Sequence, residues 1–212
     1  PVTMAIAGQI PEKTIGVAMW SDAAGIYEFV RDAVPALAPL AAPLSYNMDE
    51  EEFAENARQG FEEFEEQVLD EIGLNLNADV LPWAGGEMAA FLYHNPQSDI
   101  QCLSGGLWQF DQGYLLNVTD ADGAKAAVAQ FSDALNESLQ EFDDGEVEIE
   151  GDIYFVDAGF DTRVMWGVVE DSLVISNGSA LRHIQSSITG DSGPMADHPI
   201  WVYARQKFPD VG

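Results

Sequence analysis

Apolar residues recur every three or four positions between Asp49 and Ile72, and this spacing predicts a long amphipathic helix. Its apolar face consists of Phe53, Ala57, Phe61, Phe64, Val68 and Ile72. Acidic side chains fill most of the opposite face. Bundle carboxylate sites place glutamates inward together with histidine, so a solvated face is the better interpretation here. Asn47 or Asp49 can cap the start of the helix, and Gly73 ends it.

A second helix of this kind is predicted after a short strand at Tyr114–Val118. Asp120 or Asp122 caps its start. Its apolar face consists of Ala124, Val128, Phe131, Leu135 and Leu139. The segment "DADG" at its start is similar to a calcium loop, but the spaced oxygen ligands and the terminal glutamate of an EF-hand are missing. A helix cap therefore explains the segment better.

The first part of the chain is predicted to form a strand, a helix and a connector. Glu12–Trp20 is predicted to be the strand, and the helix after it begins at Ser21 or Asp22. Three prolines within the ten residues 35–44 then predict an irregular apolar connector.

The last third of the chain predicts two β-hairpins and a helix. The hairpin "VEIEGDIYFV" turns near Gly151, and the hairpin "RVMWGVVEDSLVIS" turns at residues 170–172. The helix "SALRHIQSSI" starts at Asn177 or Ser179. Its inward residues are Leu181, Ile184 and Ile188. Together, these elements predict an α+β fold with a mostly antiparallel sheet covered by amphipathic helices.

The segment "LNLNADVLPWAGGEMAAFLY" joins the acidic helix to the next strand. Its first part is predicted to be a connection, because Pro82 cannot donate a hydrogen bond within a central strand. Trp83 is expected to cap the edge of the core, and Gly85-Gly86 gives a free turn before the strand Glu87–Tyr93. Glu87 is compatible with a ligand or a catalytic acid, but we favour an outward position on an alternating strand.

The end of the chain is similar to its beginning. Residues 1–11 read "PVTMAIAGQIP" and residues 199–209 read "PIWVYARQKFP", with proline at both ends of each segment. We therefore predict one α+β domain over residues 1–198 that forms one unit of a repeated architecture. Residues 199–212 are then the start of a second repeat or a C-terminal tail.

The charge of the chain is far from ordinary, with 37 acidic against 8 basic residues and a net charge of -29. Such a chain repels phosphate backbones and anionic lipids. We therefore predict no nucleic-acid binding and no direct binding to an anionic membrane. Protein partners with cationic surfaces and divalent cations stay compatible with this charge.

The sequence lacks the motifs of several common chemistries. It has no Gly-x-Ser-x-Gly elbow and no phosphate-binding loop. His94, His183 and His198 are scattered, and the single Cys102 lies among apolar residues, which indicates a buried thiol. We predict no catalytic, cofactor-binding or metal-binding residues. Paired carboxylates of the glycosidase kind stay open, because acidic residues occur throughout the chain.

Three glycosylation sequons begin at Asn117, Asn136 and Asn177. Each asparagine also has a structural interpretation, as the end of a strand, the surface of a helix or a helix cap.

Aromatic residues mark the best candidate contact surface. The segment 95–112 is predicted to be a loop that carries Trp108 and Phe110 beside two glycines, and aromatic residues on loops often anchor partners. We predict Trp108, Phe110 and Trp83 as partner contacts. That the loop aromatics cover the edge of the core is an equally open interpretation.

Three segments resemble the domain of unknown function 3352 family. Residues 79–92, "DVLPWAGGEMAAFL", are similar to its Asp-x-x-Pro-Trp-x-Gly-x-Glu entry into a strand. Residues 115–128 are similar to its strand and Lys-Ala helix start, and residues 153–184 are similar to its closing hairpin and helix. The insertion at residues 95–112 and the extreme acidity depart from the family pattern.

The resemblance implies bacterial proteins, often photosynthetic, that carry an N-terminal signal or a single membrane anchor and an extracytoplasmic domain. It implies no established activity. We expect a non-enzymatic structural or interaction module in the periplasm, at the cell surface or in the thylakoid lumen, serving as an accessory subunit of a membrane-associated assembly. The alternative is a calcium- or small-ligand-binding protein that uses the acidic surface. A hydrolase with paired carboxylates is the third hypothesis.

Overall fold

A seven-stranded antiparallel sheet forms the centre of the protein. The computed structural model describes residues 5–12, 14–41, 49–94, 100–101, 107–108, 110–142, 145–157, 163–177 and 180–189. The strands of the sheet are β1 (Thr14–Trp20), β2 (Met88–His94), β5 (Phe110–Asn117), β6 (Glu148–Glu150), β7 (Ile153–Asp157), β8 (Arg163–Val169) and β9 (Ser172–Asn177). Their spatial order is β1-β2-β5-β9-β8-β7-β6. A separate two-stranded ribbon pairs β3 (Ile100–Gln101) with β4 (Leu107–Trp108).

Both predicted hairpins are confirmed. Gly151 has a φ of 64° in the turn between β6 and β7, a backbone conformation that glycine adopts without a steric penalty. Glu170 has a φ of 51° in the turn between β8 and β9. The two hairpins are joined through β7 and β8, where Ile153 lies opposite Gly167.

The described part of the chain also forms five α-helices. They are α1 (Ala23–Ala36), α2 (Ala38–Ala41), α3 (Glu50–Ile72), α4 (Ala121–Phe142) and α5 (Ala180–Thr189). Asp22 caps α1, Asp49 caps α3 and Asp120 caps α4, each through a side-chain oxygen that accepts from a backbone N–H in the first turn. Gly73 ends α3 with a φ of 77°.

The proline-rich connector is more helical than we predicted. Helix α1 continues through Pro35, and α2 forms around Pro39. A proline near the last residue of a helix removes only one hydrogen bond. A proline in the first turn removes none, because the N–H groups of that turn have no helical partner. The irregular-connector prediction is therefore wrong for residues 35–41, and residues 42–44 lie outside the described part.

One face of the sheet, which we call the α5 face, is covered by α5 and by a 3-10 turn at Ala5–Gly8. Its buried core includes Ile6, Ile10, Leu115, Val174 and Ile184. Ile184 is fully buried, which confirms its predicted inward position.

The opposite face, which we call the α4 face, packs against α4 and the segment after α3. Its core includes Trp83, Ala124, Val128, Trp166 and Val168. The segment after α3 is not a plain connection, because Leu76–Val80 forms a π-helical turn. The side chain of Asn75 caps this turn by accepting from the N–H of Ala78.

The acidic helix α3 has the predicted bounds but lies outside the sheet layer. It packs on α1, α2 and α4, and the side-chain amide of Gln130 on α4 donates to the carbonyl oxygen of Gly73 at 2.7 Å. No residue of α3 is fully buried, and Phe64 of its predicted apolar face is 48% exposed. Val68 and Ile72 near its C-terminal end pack against the core of the α4 face, and α3 otherwise packs on α1 and α2.

These observations confirm the α+β class with an antiparallel sheet. The repeated architecture and the boundary at residue 198 stay predictions, because residues 190–212 lie outside the described part. No helix among the described residues has the length and apolar character needed to cross a membrane.

Candidate functional site

Part of the α4 face is exposed to solvent where β1, β2 and β5 lie side by side. We call this surface the open sheet face, and it consists of Ala18, Trp20, Ala90, Leu92 and Tyr114, with the polar Gln112 beside Leu92. Trp20 and Leu92 are each 37% exposed and Tyr114 is 48% exposed. Aromatic and aliphatic side chains in the middle of a sheet are ordinarily covered, so this surface is suited to contact with another molecule.

The open sheet face carries a shallow depression. A groove of about 270 Å³ runs across it, with Gly16, Ala18 and Ala90 on the floor and Leu92 and Tyr114 among its larger lining residues. Small residues on the floor let a contacting group come close to the sheet. The groove therefore provides shape as well as apolar surface.

A second feature lies between α4 and the sheet. We call it the apolar cavity; its volume is about 390 Å³. It is lined by Leu74, Val80, Trp83, Ala127, Val128, Phe131, Leu135, Val156, Val164, Trp166, Leu173 and Ile175. Every lining side chain is aliphatic or aromatic.

The only polar side-chain atoms of that lining, the two indole N–H groups, are already hydrogen-bonded. Trp166 donates from Nε1 to the hydroxyl of Ser132 at 2.9 Å, and Ser132 donates to the carbonyl oxygen of Val128 at 2.7 Å. Trp83 donates from Nε1 to the carbonyl oxygen of Asp79 at 2.6 Å. The cavity therefore offers shape and apolar contact but no side-chain hydrogen bond to a ligand.

Aromatic packing fixes one wall of the cavity. Tyr154 stacks on Trp166 with ring centroids 6.2 Å apart, and Phe131 meets Trp166 edge to face at 5.9 Å. Such arrangements are favoured by the ring quadrupoles. The wall is thus held in place by contacts on both sides of one indole.

A polar cluster around Glu65 joins three elements. Its carboxylate accepts from the hydroxyl of Tyr27 at 2.8 Å and from the side-chain amide of Asn77 at 3.0 Å, and Arg31 lies 3.8 Å away. Burial and the hydrogen bond to Glu65 raise the pKa of Tyr27 to about 12. Both carboxylate oxygens are used in joining α1, α3 and the Leu76–Val80 turn, so we interpret this cluster as structural.

Asp111 is fully buried at the start of β5, on the α5 face, opposite Tyr93 of β2. Burial, together with the charge of Asp111, raises the pKa of Tyr93. The phenol of Tyr93 therefore stays protonated at neutral pH.

Glu87 does not point outward, which corrects our prediction. Its Oε2 accepts from the backbone N–H of Ile6 at 2.7 Å, and the residue is half-buried. The carboxylate holds the N-terminal 3-10 turn against the start of β2. Its partner is 81 positions away in sequence, so alternation along one strand did not reveal it.

The three predicted contact aromatics have different environments. Trp83 is only 6% exposed, which confirms its place at the edge of the core and leaves little of its surface for a partner. Trp108 lies in β4 and Phe110 begins β5, so the predicted loop is partly strand. The side chains of Trp108 and Phe110 lie outside the described part, and their role as partner contacts stays a prediction.

All three sequon asparagines have structural roles. Asn117 accepts from Ser172 at the end of β5, and Asn136 on α4 accepts from the N–H of Val147. Asn177 accepts from the N–H of Gln112 at 2.6 Å, so its side chain joins β9 to β5 rather than capping α5. The helix-cap prediction for Asn177 is therefore wrong, and Ser179 lies outside the described part.

The metal-ligand residue types are spread through the described part of the chain. No group of three or more His, Cys, Asp and Glu residues there is placed to hold a metal ion. Cys102 and His198 lie outside the described part, as do the side chains of His94 and His183.

Sequence reasoning missed both the open sheet face and the apolar cavity. A signal for the first was available, because β1 and β2 carry apolar residues at successive positions instead of alternating with polar ones. Such strands have two apolar faces. The cavity left no signal, because its lining comes from segments that are distant in sequence.

Comparison with known proteins agrees with the resemblance in the motifs. Residues 30–183 match the family model described as "Protein of unknown function (DUF3352)". No curated protein and no solved structure matches the chain. The match begins within α1 and ends within α5, so it includes the acidic helix as well as the motif-bearing segments. Because it covers most of the sequence, the chain belongs to the DUF3352 family.

Proposed function

We propose that this protein is a non-enzymatic, extracytoplasmic interaction module that binds a protein partner through its open sheet face. We also propose that it acts as an accessory subunit of a membrane-associated assembly. The observation that carries the proposal is the exposure of Leu92 and Tyr114 on the inner strands β2 and β5, with the exposed Trp20 at the end of the edge strand β1. Contiguous exposed apolar surface of this kind marks interaction sites.

The composition of the open sheet face supports a protein partner. Tryptophan and tyrosine are enriched among the residues that contribute most to the affinity of protein interfaces. Tyr114 of β5 is flanked by Ala90 of β2, which is directly opposite in the sheet. A large apolar side chain of a partner could enter the groove beside Tyr114 and cover Leu92.

The charge of the chain supports a partner with a basic rim. A net charge of -29 attracts cationic surfaces and accelerates their association at low salt. The apolar groove then supplies contacts that salt does not screen. We expect the association rate to fall with ionic strength, and the dissociation rate to depend mainly on the groove.

The extracytoplasmic location is an expectation from the family resemblance. The acidic surface is compatible with it, because binding to cytoplasmic nucleic acids is electrostatically disfavoured. Membrane association through a protein partner also avoids direct contact with anionic lipids.

Site-specific photo-cross-linking in cells of the source organism tests the proposal. A benzophenone amino acid at Tyr114 probes the open sheet face, and the same amino acid at Glu137, an exposed residue of α4, is the matched control. We expect one stoichiometric cross-linked protein in the membrane fraction from position 114 and none from position 137.

A charge in the groove provides the second arm of the test. Leu92→Glu should abolish the cross-link from position 114, because a carboxylate cannot be buried unpaired in an apolar interface. Ile149→Glu, at a strand residue that is 61% exposed outside the open sheet face, should leave it intact. Equal cross-linking from both positions, or an unchanged cross-link in Leu92→Glu, would contradict the proposal.

A further inference from the structure

We propose that the apolar cavity between α4 and the sheet is a binding site for an uncharged hydrocarbon chain. This inference rests on the lining of the cavity and does not require the protein partner proposed for the open sheet face, although Ile175 at the mouth lies opposite Tyr114 of that face. The first support is size: about 390 Å³ lies within the range of roughly 300–1,000 Å³ that small-molecule sites occupy.

The second support is that the cavity is formed by three separate parts of the fold. Helix α4 provides Ala127 and Leu135, the segment after α3 provides Trp83, and the sheet provides Val164 and Trp166. These parts are also joined by hydrogen bonds and ring contacts, including the Trp166–Ser132 bond between β8 and α4. The cavity therefore lies between ordered elements and opens to solvent on one side.

The chemistry of the lining determines the class of ligand. Both indole N–H groups have protein acceptors, so a polar group placed inside the cavity would lose its bonds to water without gaining a side-chain partner. That loss is costly in an apolar environment. The part of the ligand inside the cavity must therefore be hydrocarbon.

The alternatives to a ligand are unfavourable for the same reason. Water molecules in the cavity would find no side chain to bond with, and ordered buried waters need several polar partners. An empty space would deprive the lining side chains of dispersion contacts. A hydrocarbon chain needs no hydrogen-bond partner, and it gives the lining side chains the dispersion contacts that an empty space lacks.

The mouth of the cavity is marked by its two most exposed lining residues. Phe131 is 37% exposed and Ile175 is 41% exposed. A ligand that extends from the cavity would cover both of them. Because the protein carries a net charge of -29, an anionic head group at this mouth is repelled and a neutral one is not.

Titration with the neutral fluorescent probe N-phenyl-1-naphthylamine tests the proposal on the full chain. We expect saturable binding that 1-dodecanol displaces. Dodecanoate should displace the probe less well at low salt, and the difference between the two should narrow as salt screens the charge of the protein.

Two variants locate the site. Ala127→Phe fills the cavity from α4, and Ile175→Lys places a charge at its partly exposed mouth. Each should weaken probe binding by about tenfold or more, because the probe would lose its space or meet a charged group. Ile149→Lys and Leu92→Lys are matched controls outside the cavity and should leave probe binding unchanged. Melting temperatures and circular dichroism confirm that each variant is folded.

Three results would overturn the proposal. The first is the absence of saturable binding by the wild-type chain. The second is unchanged binding in folded Ala127→Phe and Ile175→Lys variants. The third is a loss of binding in Leu92→Lys, with or without a loss in Ile175→Lys, which would place the probe on the open sheet face that Ile175 adjoins. Because Ile175→Lys changes a residue that is 41% exposed, it stays informative if the cavity-filling variant does not fold.

Discussion

Side-chain oxygens that accept from distant backbone N–H groups connect separate parts of this fold. Glu87 accepts from Ile6, and Asn177 accepts from Gln112. The Glu87 bond satisfies a part-buried backbone donor, whose loss of a partner would cost about 1–3 kcal/mol, whereas the Asn177 bond is exposed to water. Carboxylate and amide side chains also occur in binding and catalytic sites. In this protein, these two side chains instead accept hydrogen bonds that join distant parts of the fold.

Gly86 lies so close to the backbone of Asn117 that no side chain fits at this position. A Cβ at this position would collide with the backbone carbonyl oxygen of Asn117. We predict that Gly86→Ala lowers the free energy of unfolding by about 2–3 kcal/mol, because β2 and β5 would be pushed apart at their first pair. Urea denaturation followed by circular dichroism measures this change.

Gly85 is the matched control for that variant. A Cβ there meets no atom within 4 Å, so Gly85→Ala should change the free energy of unfolding by less than about 0.5 kcal/mol. Equal effects of the two substitutions would show that loss of backbone freedom, and not the contact with β5, explains the result.

At the scale of single residues, sequence reasoning succeeded where the interaction is local. Two candidates were predicted for each cap, and in the structure Asp22, Asp49 and Asp120 each accept a hydrogen bond from an N–H three positions later. The role of Glu87 depends on a partner that only the tertiary fold brings close, so the sequence left several interpretations open.

Helix α4 contributes buried side chains and a hydrogen bond to the packing of the α4 face. It provides Ala124 and Val128 to the core, and Ser132 binds the indole of Trp166. Because one face of the helix is buried and the other is solvated, its start must be fixed in register with the end of β5. Asp120 does this by accepting from the N–H of Gly123 at 3.1 Å.

The cap of α4 therefore has a measurable effect. We predict that Asp120→Ala lowers the free energy of unfolding by about 1 kcal/mol, the usual cost of losing a side-chain cap. Asp122→Ala removes a first-turn acid without removing the cap and should cost about half as much or less, through the helix dipole alone. A larger effect for Asp122→Ala would contradict the assignment of the cap, and thermal or urea unfolding measures both.

Helix α3 shows what the spacing of apolar residues predicts about a helix and what it does not predict. The spacing of its apolar residues gave the bounds and one face correctly, since both follow from the 3.6-residue period. The pattern does not state what that face meets. In the structure, Val68 and Ile72 reach the core of the α4 face, and Phe64 is left about half exposed.

Charge is the dominant property at the scale of the whole molecule. Among the described residues, the basic side chains of Arg31, Arg58, Lys125 and Arg163 each have an acidic partner within 4 Å. These pairs are largely exposed and each contributes little to stability. Most of the 37 acidic residues therefore repel one another in the folded state.

Salt should stabilise this protein. We predict that the melting temperature rises by about 5 °C or more between 0.05 and 1 M NaCl, because the screening length falls to roughly 3 Å at 1 M. Differential scanning calorimetry measures the shift. The variant Glu62→Gln/Glu66→Gln/Asp70→Asn, which removes three exposed charges from α3, should melt higher at low salt and respond less to added salt. A melting temperature that is independent of salt in the wild type would refute the role of self-repulsion.

The sequence by itself determined the class of the fold, the bounds of the long helices, their caps and the two hairpins. These features follow from local periodicity, capping and turn chemistry, which act over a few residues. It also determined the family and the acidic surface. Only the tertiary structure decided that the sheet has one open region, that α3 lies outside the sheet layer and that an apolar cavity lies beside the contact between α4 and the strands. Each of these depends on how elements distant in sequence pack together, and a packing arrangement leaves no periodic signal in the chain.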